Sequence, residues 1–145
     1  QATFHDALTR LDLCVAVEGG NADGAADRWQ ALGTVPEPLA AKLQARYDAA
    51  LAGTPRAFDD TEAARDLLVE LEFLGAIETP DGDRKRRMDL QIARLSKHMS
   101  GGGTQTAPRE ELLALLGRWI EVGAAPAELR ERFARGYAAV LNQLA

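Results

Sequence analysis

Apolar residues in this chain recur at spacings of three and four, the period of a helix with one buried face, in every segment long enough to show a period. Phe4, Leu8, Leu11 and Val15, with Leu13, Cys14 and Val17 widening the stripe, predict a helix over residues 3–18. Gly19, Gly20 and Asn21 end it, because Gly and Asn accept the left-handed cap conformation. Asp23 is the expected N-cap of a second helix that carries Trp29 and Leu32 and stops at Gly33. Pro36 suits the first turn of a third helix, whose face is Leu39, Leu43, Tyr47, Ala50 and Leu51. After a break at 52–55, Asp59 or Asp60 caps a fourth, with Phe58 as its staple and Ala64, Leu67, Leu68, Leu71 and Leu74 as its stripe. A fifth runs over 83–99 with Met88, Ile92, Leu95 and Met99 on one face. The run at 100–106, SGGGTQT, reads as a flexible linker. A sixth helix starts near Pro108, carries Leu112, Leu115, Leu116 and Trp119, and ends at Gly123. A seventh runs from Pro126 to about Leu144 through Leu129, Phe133, Tyr137, Val140 and Leu141. Nothing alternates as a strand would, so the expected fold class is all-α: tandem antiparallel helical bundles of about seven helices.

Two stretches, 28–51 and 118–141, align without a gap at an offset of ninety residues. They match at Arg28/Arg118, Trp29/Trp119, Gly33/Gly123, Pro36/Pro126, Leu39/Leu129 and Tyr47/Tyr137. Leu43 faces Phe133, Ala50 faces Val140 and Leu51 faces Leu141, so apolar character persists where identity does not. This is the mark of a repeated packing unit. Each copy reads as two helices joined by an elbow, with the Gly turning the chain, the Pro starting the next helix and the Trp packing on that helix's Leu/Phe–Tyr face. A third helix has to cover each pair, since two amphipathic helices leave apolar surface open. The expected domains are a three-helix unit at 1–53 and a four-helix unit at 58–145, with the 83–99 helix as the cover in the second. Trp29, Gly33, Pro36, Tyr47, Trp119, Gly123, Pro126 and Tyr137 are thus expected to be structural, core anchors rather than a ligand cage.

Composition narrows the function classes. No stretch approaches the roughly 20 apolar residues that span a bilayer. The net charge of −5 argues against general polyanion binding, and with no basic helix opposite a broad aromatic stripe, no membrane partner is expected. Cys14, the one cysteine, cannot form an internal disulfide and reads as a buried small hydrophobe in a reducing, cytoplasmic setting. The chain opens at Gln1 rather than Met and reads as a piece of something longer.

Candidate chemistry is sparse. Glu70 and Glu72 are two apart and leave a helix on different sides, while Asp59/Asp60 and Glu110/Glu111 read as helix-start acids. His5 and His98 have no metal-binding context, and no phosphate-binding glycine motif is present. No catalytic residue, metal or cofactor is expected. The charge feature with content is Arg84, Arg87, Gln91, Arg94 and His98, which line one side of the fifth helix beside its apolar stripe. It is the candidate partner-binding face, for a protein or, as the alternative, for a nucleic acid or ribonucleoprotein. No aromatic residue interleaves with it to stack on bases, which weighs against nucleic acid.

The elbow Trp29–Gly33–Pro36, its copy Trp119–Gly123–Pro126, and the helices at 39–51 and 129–141 resemble the bacterial helical repeat family known as domain of unknown function 349. The middle of the chain resembles the C-terminal region of its proteobacterial members: the leucine-rich helix at 67–74, the Glu78-Thr79-Pro80 elbow, and Arg87-Met88 with Gln91, Arg94 and Leu95. Arg10-Leu11-Asp12-Leu13-Cys14 is similar to the family's opening motif. The chain departs from the pattern at Ala125, where the first copy has Val35, and in the SGGG before the second copy. The resemblance brings no enzyme activity with it and implies a piece of a longer, intracellular tandem array; the expected role is a scaffold or protein-interaction module, with neighbouring repeats of that chain among its partners.

Overall fold

The computed structural model describes residues 2–101 and 107–145, so the linker expected at 100–106 lies, from residue 102 onward, outside the described residues. Among those described there are seven α-helices and no strand: α1 (Ala2–Glu18), α2 (Ala25–Ala31), α3 (Leu39–Leu51), α4 (Thr61–Leu74), α5 (Arg84–Met99), α6 (Pro108–Val122) and α7 (Ala127–Leu144). A short 3-10 turn, Asp81–Asp83, leads into α5. The all-helical bundle expected from periodicity is therefore the fold.

The chain divides into two units: Gln1–Asp59 with Leu116–Ala125, and Asp60–Leu115 with Pro126–Ala145. The first boundary lies close to the break expected at 53–58. The second differs from the expected 58–145 unit, because the end of α6 and its elbow group with the first helices. That segment buries Leu116, Trp119, Ile120 and Ala125 and also makes polar contacts with the first unit. Arg46, buried in α3, donates to the carbonyls of Ile120 at 3.1 Å and Gly123 at 3.0 Å. Ala124 N–H also reaches the Arg56 carbonyl at 3.2 Å.

In the first unit α1 lies along α3, and Phe4, Ala7, Leu11, Cys14, Leu39 and Leu43 form the centre. Trp29 stacks on Tyr47, with ring centroids 4.0 Å apart and planes 13° from parallel, and the Arg10 guanidinium covers the Trp29 ring at 4.7 Å. Both rings are buried in this unit. Arg46 also pairs with Glu18 through two hydrogen bonds, of 2.7 and 2.9 Å.

Two helix starts differ from expectation. The N-cap of α2 is Gly24 in the left-handed region rather than Asp23, whose N–H is taken by the Asn21 side chain. Helix α3 begins at Leu39 rather than at Pro36, because a residue before proline is pushed out of the helical region and Glu37 precedes Pro38. Glu37 still caps it, accepting from Ala41 N–H at 3.2 Å. Helix α7 does start beside its proline, with Pro126 as an extended N-cap.

The glycines of the two elbows serve different ends. Gly123 has φ +94°, and a Cβ there would meet the Arg56 carbonyl oxygen at 2.7 Å, so both conformation and space require glycine. Gly33 has no positive φ; its Cβ would meet only the end of the Asp6 side chain, at 2.6 Å.

In the second unit α4 packs on α7, and Leu67, Leu68, Val69, Leu71, Phe133, Tyr137 and Val140 are buried there. Phe133 and Tyr137 stack at 5.6 Å, and burial pushes the Tyr137 hydroxyl well above its ordinary pKa. A Cβ on Gly136 would come within 2.9 Å of Leu71, and one on Gly75 within 2.8 Å of Ala139, so small residues set how closely these helices approach.

Candidate interaction face

Helix α5 owes its position to charge rather than to apolar burial. Its entry turn ends at Asp83, which is 1% exposed. Arg132 of α7 holds the Asp83 carboxylate at 2.6 Å and grips Glu72 of α4 with two further bonds, of 2.7 and 2.8 Å. The other Asp83 oxygen lies 2.6 Å from Arg65 and 3.1 Å from Arg86. Burial alone would raise the Asp83 pKa, but the bonds from Arg132 and Arg65 hold it below the ordinary carboxyl value. Burial likewise opposes charge on Arg132, and its two carboxylate partners raise its pKa in spite of that. Paired carboxylates were legible in the sequence as helix-start acids, but the Glu72–Arg132–Asp83 clamp was not. Its members lie 60 and 49 residues apart, and only Glu72, one of two acids inside the apolar run at 67–74, hinted at it.

Beyond the clamp, α5 rests on α4 through arginines. Arg86 pairs with Glu62 and, at 2.6 Å, with Asp66. Arg87 donates to the Ile77 carbonyl at 2.7 Å and the Thr79 hydroxyl at 2.8 Å. Arg87 and Arg94 both lie over the Phe73 ring, at 5.5 and 4.9 Å. Arg86, Arg87 and Leu90 are half-buried and mark the side turned to α4.

No residue of α5 is buried. Met88, Ile92, Leu95 and Met99, on the side opposite Leu90, are between 58% and 76% exposed. This corrects the expectation that the 83–99 helix covers the second bundle: its cationic side faces the bundle and its apolar stripe faces out. Periodicity registers that a stripe exists, and it is silent on which side of the helix the rest of the chain occupies. A groove of about 520 Å³ runs along the stripe, with Met88, Ile92 and Leu95 as its apolar wall and Arg84, Arg87 and Glu78 on its rim.

The expected basic face is thus only partly open. Arg94 is held by Glu111 at 3.1 Å, Arg87 is turned into neutral acceptors, and Arg84 makes an exposed pair with Asp81 at 3.0 Å. Gln91 and His98 are exposed. Among the described residues no group of three or more His, Cys, Asp or Glu is placed to hold a metal, and no helix is long and apolar enough to cross a membrane. Cys14 is fully buried, its thiol pushed up to about 12 mainly by that burial, which leaves it unreactive.

At the other candidate feature, the Trp29 elbow, a recess of about 300 Å³ is bordered by Arg10, Trp29, Gln30 and Gln44. Tyr47 and Arg10 cover the faces of the indole, so it offers no open ring for a ligand to stack on.

Comparison of the chain with protein-family models, with curated proteins and with solved structures finds no match.

Proposed function

We propose that this chain is a helical scaffold segment of a longer intracellular bacterial protein, acting by presenting the outer face of α5 to a protein partner. The observation that carries this reading is the four-residue apolar stripe left open on a helix with no buried residue. Exposed apolar residues scattered singly need no explanation, whereas a contiguous stripe beside a groove marks a contact surface. The ninety-residue repeat and the likeness to domain of unknown function 349 support a place in a tandem array, with neighbouring repeats among the partners. No chemistry is assigned to the chain in this reading. A photo-crosslinking residue at Ile92 in the native full-length protein tests it: adducts form at Ile92 and are absent from a control position such as Asp48. Equal labelling at both sites would remove the basis for the reading.

The alternative, nucleic-acid binding through Arg84, Arg87 and Arg94, has in its favour the basic character of α5. It is weakened by Glu111, which already holds Arg94, and by the net charge of −5. Reversing the charge of Arg84 separates the two, read as RNA and DNA binding across a salt series. This alternative requires binding that weakens steeply with salt and falls in the variant.

A further inference from the structure

We infer that the occupant of the α5 face is an acidic amphipathic helix of a partner protein, lying along the Met88–Ile92–Leu95–Met99 stripe with its carboxylates over Arg84 and Arg87. The inference rests on the scaffold reading and adds the chemistry of the partner. The stripe follows a four–three–four spacing, the seam along which one helix packs on another. With 16 residues, α5 offers roughly 24 Å of such a seam.

Charge selects the partner. Helix α5 holds six Lys or Arg and one Asp, or +5, while the whole chain is −5, so all other residues together carry −10. The charge is not spent evenly. On the side facing α4, Arg86 meets Glu62, Asp66 and Asp83, and Arg94 meets Glu111. Along the groove the balance is different. The two acceptors bonded to Arg87 are a carbonyl and a hydroxyl, neither of which cancels its charge. The Asp81 partner of Arg84 is 89% exposed, and a pair so open contributes little. Glu78 is the one acid among the groove's lining residues. The groove side of the stripe therefore carries two arginines to one lining acid. Lys85, at the head of the other border, makes an exposed pair with Asp89.

Other occupants fit less well. A second copy laid stripe on stripe would bring two +5 helices together. A lipid surface would meet a stripe without Trp, Tyr or Phe.

The test uses the full chain and two labelled, designed amphipathic peptides with the same leucine stripe, one flanked by Glu and the other by Lys, read by fluorescence anisotropy. The Glu-flanked peptide binds at least about tenfold tighter, weakens as salt rises, and loses its binding to Ile92→Glu and Leu95→Glu variants whose melting curves are unchanged. Arg84→Glu narrows the preference without abolishing binding. Equal binding of both peptides overturns the acidic partner but leaves the helix-binding face standing. Failure of both to bind overturns the face itself. Two further results also overturn the inference: a dimer in sedimentation that Ile92→Glu dissociates, which makes the occupant a second copy, and binding to anionic vesicles that Ile92→Glu removes, which makes it a lipid surface.

Discussion

Gly33 and Gly123 occupy the same place in the two sequence copies, yet a substitution at each should have different consequences. Ala at position 123 would take a left-handed φ and drive its Cβ into a backbone carbonyl. Gly123→Ala is expected to cost about 2–3 kcal/mol in denaturant unfolding. Gly33→Ala displaces only the tip of Asp6 and should cost less than half as much. The Trp–Tyr stack offers a second contrast. Trp29→Ala removes a large buried ring and is expected to cost about 3–5 kcal/mol. The Tyr47 hydroxyl is buried with no hydrogen-bond partner among the described residues, so Tyr47→Phe should raise stability by about 1 kcal/mol. A loss of stability in Tyr47→Phe would mean that the hydroxyl has a partner in solution. Of this, the burial of Trp29 was legible from its place in the helical period. The difference between the glycines was not, because a φ angle and a neighbouring carbonyl leave no trace in spacing.

At the scale of elements, helices that bury an apolar face were read with their stripes nearly complete, and corrections gathered at their ends. Pro36 and Asp23 both looked like helix starters, and each lost that place to a neighbour, Pro38 and Gly24. Helix α5 is the exception in kind. Its stripe reads as core in the sequence, but the chain's own contacts use the opposite side, where Arg86, Arg87 and Arg94 meet acids, carbonyls and Phe73. The clamp at its head should be a large term for the second unit. Arg132→Ala takes the cation from the buried Glu72 and one of three from Asp83, and is expected to cost about 3–5 kcal/mol. The pH dependence follows from Asp83. Its folded pKa lies below the unfolded value of about 3.9, so the stability it adds is present above that value and disappears as pH falls through the folded one. Unfolding free energy should drop as pH falls below about 4 in the parent chain and drop less steeply in Asp83→Asn. Parallel pH profiles for the two would remove Asp83 from the clamp.

For the whole molecule, the two-fold sequence pattern and the two structural units do not coincide. The repeat places 118–141 in one copy, whereas the units divide between Ala125 and Pro126. Apolar matching carried the repeat, whereas contacts of Arg46 and Arg56 with the 120–124 segment join that segment to the first unit. Fold class was legible because helical period and turn residues are local properties. The candidate site was half legible: its residues stood out as a basic side and an apolar stripe, but which of the two faces outward depends on α4 and α7, far away in the chain. On the proposed reading the outward stripe of α5 contributes to binding and not to the chain's own stability. Chemical unfolding of the Ile92→Glu variant is the test. A free energy within about 0.5 kcal/mol of the parent chain is the expected result, and a loss of several kcal/mol would show that Ile92 is packed inside the fold and contradict the claim.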